Sequence, residues 1–367
     1  MFVMQQPQQL IRHFTPNWFT VNMGTGVVAL LLSESPLMTA SCEELARILW
    51  LANIVLFILF VVLYSLRWLF YFHEAKQIFQ HSSMAFFFGA IPMGLATIIN
   101  GLIKFMPQHL ALAEFLWGVD VILAVIVAVG VPMLMFAYQQ HQLKTMTAIW
   151  LLPIVTAEVV ASSGGVLLAH LPASQAAMNL LFGCYVLWGM SVLPAFAVLT
   201  ILLLRLALHR LPEAQMAMSV CLALGPIGTG ALALLLLGQQ APRILAACHL
   251  VELGNLMHYA GIWISFILLG FGLWWFAIAL FTIYKHSRTG LSFNLGWWGL
   301  TFPLGVFDLA ILNLAQQIQS QALLYIGFSF AGCIVLLWAM VMVKTIQGAY
   351  RGSLFFSPCL MSMLEKA

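Results

Sequence analysis

Two carboxylates stand inside apolar stretches at the same distance from a proline. Glu158 follows Pro153 by five residues, and Asp308 follows Pro303 by five. Asp120 lies in a third apolar stretch. A charge in lipid is costly, so such residues face a protein interior or an aqueous path. A carboxyl in a dry site holds its proton more firmly than in water and can carry it alongside an anion. Glu158 and Asp308 are therefore candidates for proton coupling; the competing reading is hydrogen bonding between helices. The corresponding positions after Pro92 and Pro226 are Thr97 and Ala231. No other chemistry assembles. The cysteines (Cys42, Cys184, Cys221, Cys248, Cys333, Cys359) show neither metal nor disulfide spacing. His249 and His258 are nine residues apart, which fits no helix face. The sequence thus offers no metal site, no cofactor motif and no clustered His, Asp, Glu or Cys for a membrane-embedded enzyme. It has no nucleotide-binding loop, which excludes an ATP-driven pump within this chain.

The elements that must position these groups cross a membrane. Of 367 residues, 63% are hydrophobic and 7% charged, with a mean hydropathy of +1.02. Soluble domains carry about 25% charged residues. The net charge of +3 is a loop effect, not a nucleic-acid footprint. The N-terminal MFVMQQPQQLIRHF lacks an apolar core of signal-peptide type. A crossing takes about 20 apolar residues. Ten spans are predicted, at about 17–33, 45–70, 84–104, 113–138, 147–169, 175–207, 214–237, 256–284, 291–314 and 322–346, as a single transmembrane domain over 1–367. The connection from Ala241 to His258 is the longest and is expected to hold a short surface helix.

The cations orient these spans. With the N-terminus in the cytoplasm, Arg12, Arg67, Lys76, Lys144, Arg205, Arg210, Lys285, Arg288, Lys344, Arg351 and Lys366 fall on the cytoplasmic side. Only Arg47, Lys104 and Arg243 fall outside, a ratio of 11 to 3 among the 14 Lys and Arg. An even number of spans and two cytoplasmic termini follow, in the cell membrane.

The odd spans repeat one another. Spans three, five, seven and nine carry Pro92, Pro153, Pro226 and Pro303, and glycine follows two residues later at Gly94, Gly228 and Gly305. Span one has Gly24 and Gly26. Even spans are longer and bulkier, although Pro132 and Pro194 break the contrast. Proline bends or opens a helix, and small residues allow close helix approach. The fold expected is all-α: five parallel helical-hairpin repeats, with the odd helices around a central pore and the even helices facing lipid. Gly24, Gly94 and Gly228 are expected to line that pore.

HFTPNWFTVNMGTGVVALLL near the start and WWGLTFPLGVFDLA in span nine resemble the tellurite-resistance and dicarboxylate transporter family over nearly the whole chain. That family includes fungal malic-acid permeases, fungal sulfite-efflux pumps and the slow anion channels of plant guard cells. The resemblance implies ten helices as five hairpins around an anion pore, assembled as a homotrimer with one pore per subunit. It implies a phenylalanine of the ninth helix as the gate, which by motif is Phe302. The positions before the other prolines are Ile91, Leu152 and Gly225, so one repeat alone supplies an aromatic plug. At about 100° per residue, Gly305 and Val306 share the Phe302 face, Leu309 returns to its line, and Asp308 lies about 120° away. The expected wall is Phe302, Gly305, Val306 and Leu309.

No lysine or arginine lies deep in a span, so anion selectivity falls to backbone dipoles, to hydroxyls (Thr97, Thr156, Thr229, Thr301) and to the positive vestibule. Arg12 and His13 are read as membrane anchors or as attractors of anions. The expected function is transport of small anions, a C4-dicarboxylate such as malate or a sulfite- or tellurite-type oxyanion. The alternative is a gated channel conducting chloride- or nitrate-type ions without proton coupling.

Overall fold

A computed structural model of the protein describes residues 7–34, 40–288 and 290–355; Cys359 and Lys366 lie outside them. Ten helices carry the architecture. They are α1 (Thr20–Ser33), α2 (Ala40–Phe70), α3 (Ala90–Phe105), α4 (Leu110–Ala137), α5 (Leu151–Leu168), α6 (Gln175–His209), α7 (Leu224–Ala246), α8 (Val251–Ser287), α9 (Phe302–Gln317) and α10 (Gln321–Arg351). Among the described residues, nine helices, α2 to α10 with the 3-10 segments that lead into them, are long and apolar enough to cross a membrane. The remaining helix, α1, has 14 residues behind a short 3-10 turn.

Each odd helix opens with a 3-10 segment: Pro16–Phe19, Met84–Gly89, Ala148–Trp150, Ala214–Ala223 and Leu295–Leu300. Pro92, Pro153, Pro226 and Pro303 then occupy the second or third residue of the α-helix that follows. That is where a missing N–H matters least, because the first turn has no intrahelical acceptor for it. The bend expected at each proline therefore takes the form of a change from 3-10 to α geometry.

The odd helices pack in a closed ring, α1 on α3, α3 on α5, α5 on α7, α7 on α9, and α9 back on α1. Each even helix packs on the odd helix before it and the odd helix after it, α10 closing onto α1. Burial follows this order: at least 72% of the apolar window is buried in α3, α5, α7 and α9, and at most 33% in the even helices. The reason is in the side chains. Odd helices are rich in Gly, Ala, Ser and Thr, which permit close approach on all sides, whereas even helices project Leu, Ile, Val and Phe outward.

A recurrent tether joins the two rings. The indole N–H of Trp50 on α2 donates to the Ile98 carbonyl on α3, Trp117 on α4 to Val160 on α5, and Trp188 on α6 to Gly230 on α7, at 3.1, 3.0 and 3.0 Å. Trp338 on α10 donates to Thr25 Oγ1 on α1 at 3.2 Å. A tryptophan can pack its ring against lipid-facing neighbours while its N–H finds an acceptor inward.

One connection differs from expectation. The stretch from Ala241 to His258 holds no separate surface helix; α7 runs to Ala246 and α8 begins at Val251. The cause is close helix packing up to the tips. A methyl group on Gly254 would lie 2.9 Å from the Ala241 carbonyl, and one on Gly261 would lie 2.7 Å from the Leu234 carbonyl. Arg243 then ties the end of α7 to α5, donating to the Leu168 and Leu171 carbonyls at 2.7 and 2.9 Å.

Candidate functional site

Among the described residues, three cavities lie along the ring, each lined from all five odd helices or the segments that lead into or out of them. At the end where the odd helices begin, a cavity of about 260 Å³ is lined by residues including Asn17, Ser83, Ile149, Ser219, Asn294 and Trp298. At the opposite end a cavity of about 130 Å³ is lined by residues including Lys104, Asn100, Ser162, Leu236, Leu309 and Asn313. Between them is a void of about 10 Å³ bounded by Met23, Met93, Leu151, Leu152, Val155, Leu222, Gly225, Phe302 and Pro303. That is room for about one water. Met23, Leu152, Leu222 and Pro303 also line the first cavity, so the narrowing opens directly into it.

Phe302 sits in this narrowing, 3% exposed, at the first residue of α9. Leu152 and Gly225, the residues before Pro153 and Pro226, border the same void, whereas Ile91 does not and Met93 takes its place. Three residues that each precede a proline thus meet at one level, and Phe302 is the one aromatic ring among them. Along α9, Leu309 reaches the cavity at the opposite end, and Val306 is buried between the two levels.

The glycines are placed differently. A methyl group on Gly228 would lie 2.6 Å from Phe307 Cα, on Gly305 2.7 Å from Val27 Cγ1, and on Gly94 3.2 Å from Asn22 Cβ. On Gly24 it would collide with Thr301 and Trp298. Each of the four faces a neighbouring helix, and none borders the three cavities. They let helices touch; the expectation that they present to the axis is corrected accordingly. Gly225, which precedes Pro226 as Phe302 precedes Pro303, is the glycine that the axis uses. It borders the narrowing with nothing within 4 Å of an added methyl group.

The carboxyls also turn from the axis. A methyl group on Gly230 of α7 would lie 3.7 Å from Glu158 Oε2, and one on Gly327 of α10 would lie 3.4 Å from Asp308 Oδ1. Asp120, Glu158 and Asp308 are fully buried and border none of the axial cavities. Ser191 is the polar neighbour of Glu158, but its hydroxyl donates to the Ile154 carbonyl at 2.8 Å. The threonines are similarly engaged. Thr97, Thr156 and Thr301 donate to the carbonyls of Gly94, Pro153 and Trp298, three residues back, at 2.8, 2.8 and 2.9 Å. Thr97 and Thr156 bond within the early α-turns, and Thr301 bonds back into its 3-10 segment. Thr229 is buried off the cavities.

Among the described residues, the first axial cavity has no ionisable side chain in its wall. In the cavity at the opposite end Lys104 pairs with Glu34. Arg12 is not a free attractor of anions: it holds Glu74 through two contacts, at 2.9 and 2.7 Å, and this pairing raises its pKa further. Burial lowers the pKa of His13 beside it. Lys344 lies over the Trp297 ring, 5.1 Å from its centroid. These cations are anchored by carboxylate or aromatic partners.

Comparison with known proteins places this geometry in context. The family model described as voltage-dependent anion channel matches residues 13–346. A sulfite efflux pump of Arthroderma otae is 35% identical over 354 residues, covering 94% of this chain and 93% of that protein. A transporter of Methanocaldococcus jannaschii, named as uncharacterized, is 28% identical over 350 residues, covering 95% and 98%. The malic acid transport protein of Schizosaccharomyces pombe is 21% identical over 351 residues, covering 92% and 79%.

Proposed function

The chain belongs to the voltage-dependent anion channel family and is an anion transporter, and on that premise we propose that small anions move along the axis of the inner ring with Phe302 as the gate. The substrate class is a sulfite-type oxyanion or a C4-dicarboxylate such as malate, the cargoes named for its relatives. The observation that carries the reading is the row of cavities, about 260, 10 and 130 Å³, walled by all five repeats and narrowest at Phe302. An apolar plug excludes water and ions by volume until it moves. In this reading the chain is a single transmembrane domain of ten crossings in five hairpins. It assembles as a homotrimer in the cell membrane with both termini in the cytoplasm, and Val306 supports the Phe302 face.

Uptake of labelled sulfite, malate and chloride into proteoliposomes tests the function. Flux of none of them, from protein shown to be folded, would overturn it. Topology is tested by a cysteine at Gln108, exposed in the turn between α3 and α4. It should be labelled from outside intact cells, and labelling only after permeabilisation would overturn the ten-crossing arrangement.

A second reading, a gated channel without proton coupling, is favoured by the carboxyls. Glu158 and Asp308 border none of the axial cavities, which supports conduction without a proton. Flux that saturates and follows the pH gradient would favour the coupled carrier.

A further inference from the structure

A further cavity lies beside the axis. It measures about 460 Å³ and is walled by the lead-in to α3, the loop between α4 and α5, and the loop between α6 and α7. Ser83, Ile149 and Met216 line both this side cavity and the adjoining axial one. The two differ in charge. Among the described residues, the axial cavity has no ionisable side chain, whereas the side cavity has Lys144, Arg205, His141 and His209 against one acid, Glu213.

Arg205 is the fixed cation of this wall. It is 6% exposed, near the end of α6. Its Nε and Nη2 donate to the Lys144 carbonyl at 3.3 and 2.9 Å, and its Nη1 donates to the Arg210 carbonyl at 2.6 Å. Arg210 has a φ of 61°, in the left-handed region, as its carbonyl is turned to the guanidinium. A guanidinium has five N–H groups, so two remain free after these three bonds. Among the described residues, no carboxylate lies within ion-pair distance of Arg205 or Lys144. His141 adds no charge near neutrality. Its ring packs on Phe86 and Trp150, its Nε2 pairs with Gln139 Oε1 at 2.9 Å, and burial lowers its pKa.

We propose that this side cavity is an anion-capture antechamber: an oxyanion arriving at the face that bears the N-terminus binds Arg205 and Lys144, then crosses Ser83, Ile149 and Met216 into the axial cavity. This rests on the reading that the axis carries anions. The chemistry suits an oxyanion, because neighbouring guanidinium N–H groups match two oxygens held by one central atom. Thr147 on the same wall supplies a hydroxyl donor, while the Thr145 hydroxyl donates to the Gln142 carbonyl at 3.1 Å. A cation set off the axis raises the local anion concentration without a deep binding site in the narrow path, where tight binding would slow release.

The test is the kinetics of sulfite uptake into proteoliposomes from the N-terminal face. Lys144→Gln and Arg205→Gln are expected to raise KM about three- to tenfold with kcat retained. Arg205 also ties two loop carbonyls, so its variant can fail to fold, and Thr145 supplies the independent arm. Thr145→Asp should raise KM and Thr145→Lys should lower it. Opposite shifts at one position do not arise from misfolding; equal KM for both folded variants overturns the proposal. Liposomes of phosphatidylcholine alone separate a transported oxyanion from an anionic lipid headgroup. Shifts that persist there support capture, and shifts that vanish assign the site to lipid and overturn it. If the wild type carries no sulfite, malate or chloride, the transport reading fails, and inorganic sulfate decides the cavity alone. Greater protection of the wild type than of Thr145→Asp against heat unfolding supports an anion site, and equal protection overturns it.

Discussion

A methyl group on Gly228 would lie 2.6 Å from the Cα of Phe307, so α7 and α9 meet backbone to backbone two residues after Pro226. Three positions earlier, Gly225 borders the narrowing of the axis with nothing within 4 Å of an added methyl group. The same substitution at the two sites should therefore do opposite things. Gly228→Ala forces two helices apart, at about 1–3 kcal/mol for overpacking. It should lower the unfolding temperature and the folded yield. Gly225→Ala should fold normally and slow flux by filling the path. Normal stability for Gly228→Ala would show that the helices can separate without penalty.

Phe302→Ala should raise anion conductance. The ring fills a level where the surviving void is about 10 Å³, and its neighbours Leu152, Met23 and Leu222 are held by their own helices. A ring that only packed the core would, on truncation, cost about 3–5 kcal/mol and reduce the folded protein. Bilayer recording beside surface expression separates the two outcomes, and reduced expression with no gain in current makes Phe302 a packing residue.

At the cavity where the odd helices end, Lys104 is the one cation in the wall among the described residues, and Glu34 holds it. The side chains are 31% and 35% exposed, so the pair is partly screened and contributes little to stability. Its consequence is for anions. Lys104→Gln should slow flux at low substrate concentration, and Glu34→Gln, which frees the ammonium, should speed it. Shifts in the same direction would mean that the pair acts as a latch between α1 and α3, not as a tuner of charge.

Glu158→Gln should leave both uptake and its pH profile unchanged, because the carboxyl faces Gly230 and not the axis. The amide keeps the shape and can donate to the Ser191 hydroxyl oxygen, whose proton is held by the Ile154 carbonyl. A flattened pH profile in folded protein would return Glu158 to a coupling role.

The sequence by itself determined the membrane class, the approximate position of the spans and the alternation of two kinds of helix. These depend on local properties: apolar run length, and the spacing of proline and glycine. Phe302 was marked by motif, through the resemblance to the transporter family. Tertiary structure decided what each helix turns toward. Rotation about a helix axis is set by packing against neighbours on every side, and a buried odd helix has no polar face to reveal it. Hence Gly94, Gly228 and Gly305 look like lining residues from spacing, yet face Asn22, Phe307 and Val27. Hence too Glu158 and Asp308, at equal depth by sequence, point toward α7 and α10 and away from the axis. The side cavity was out of reach for the same reason. Arg205, Lys144 and Ser83 share its wall only because three separate connections fold against one another at one end of the ring.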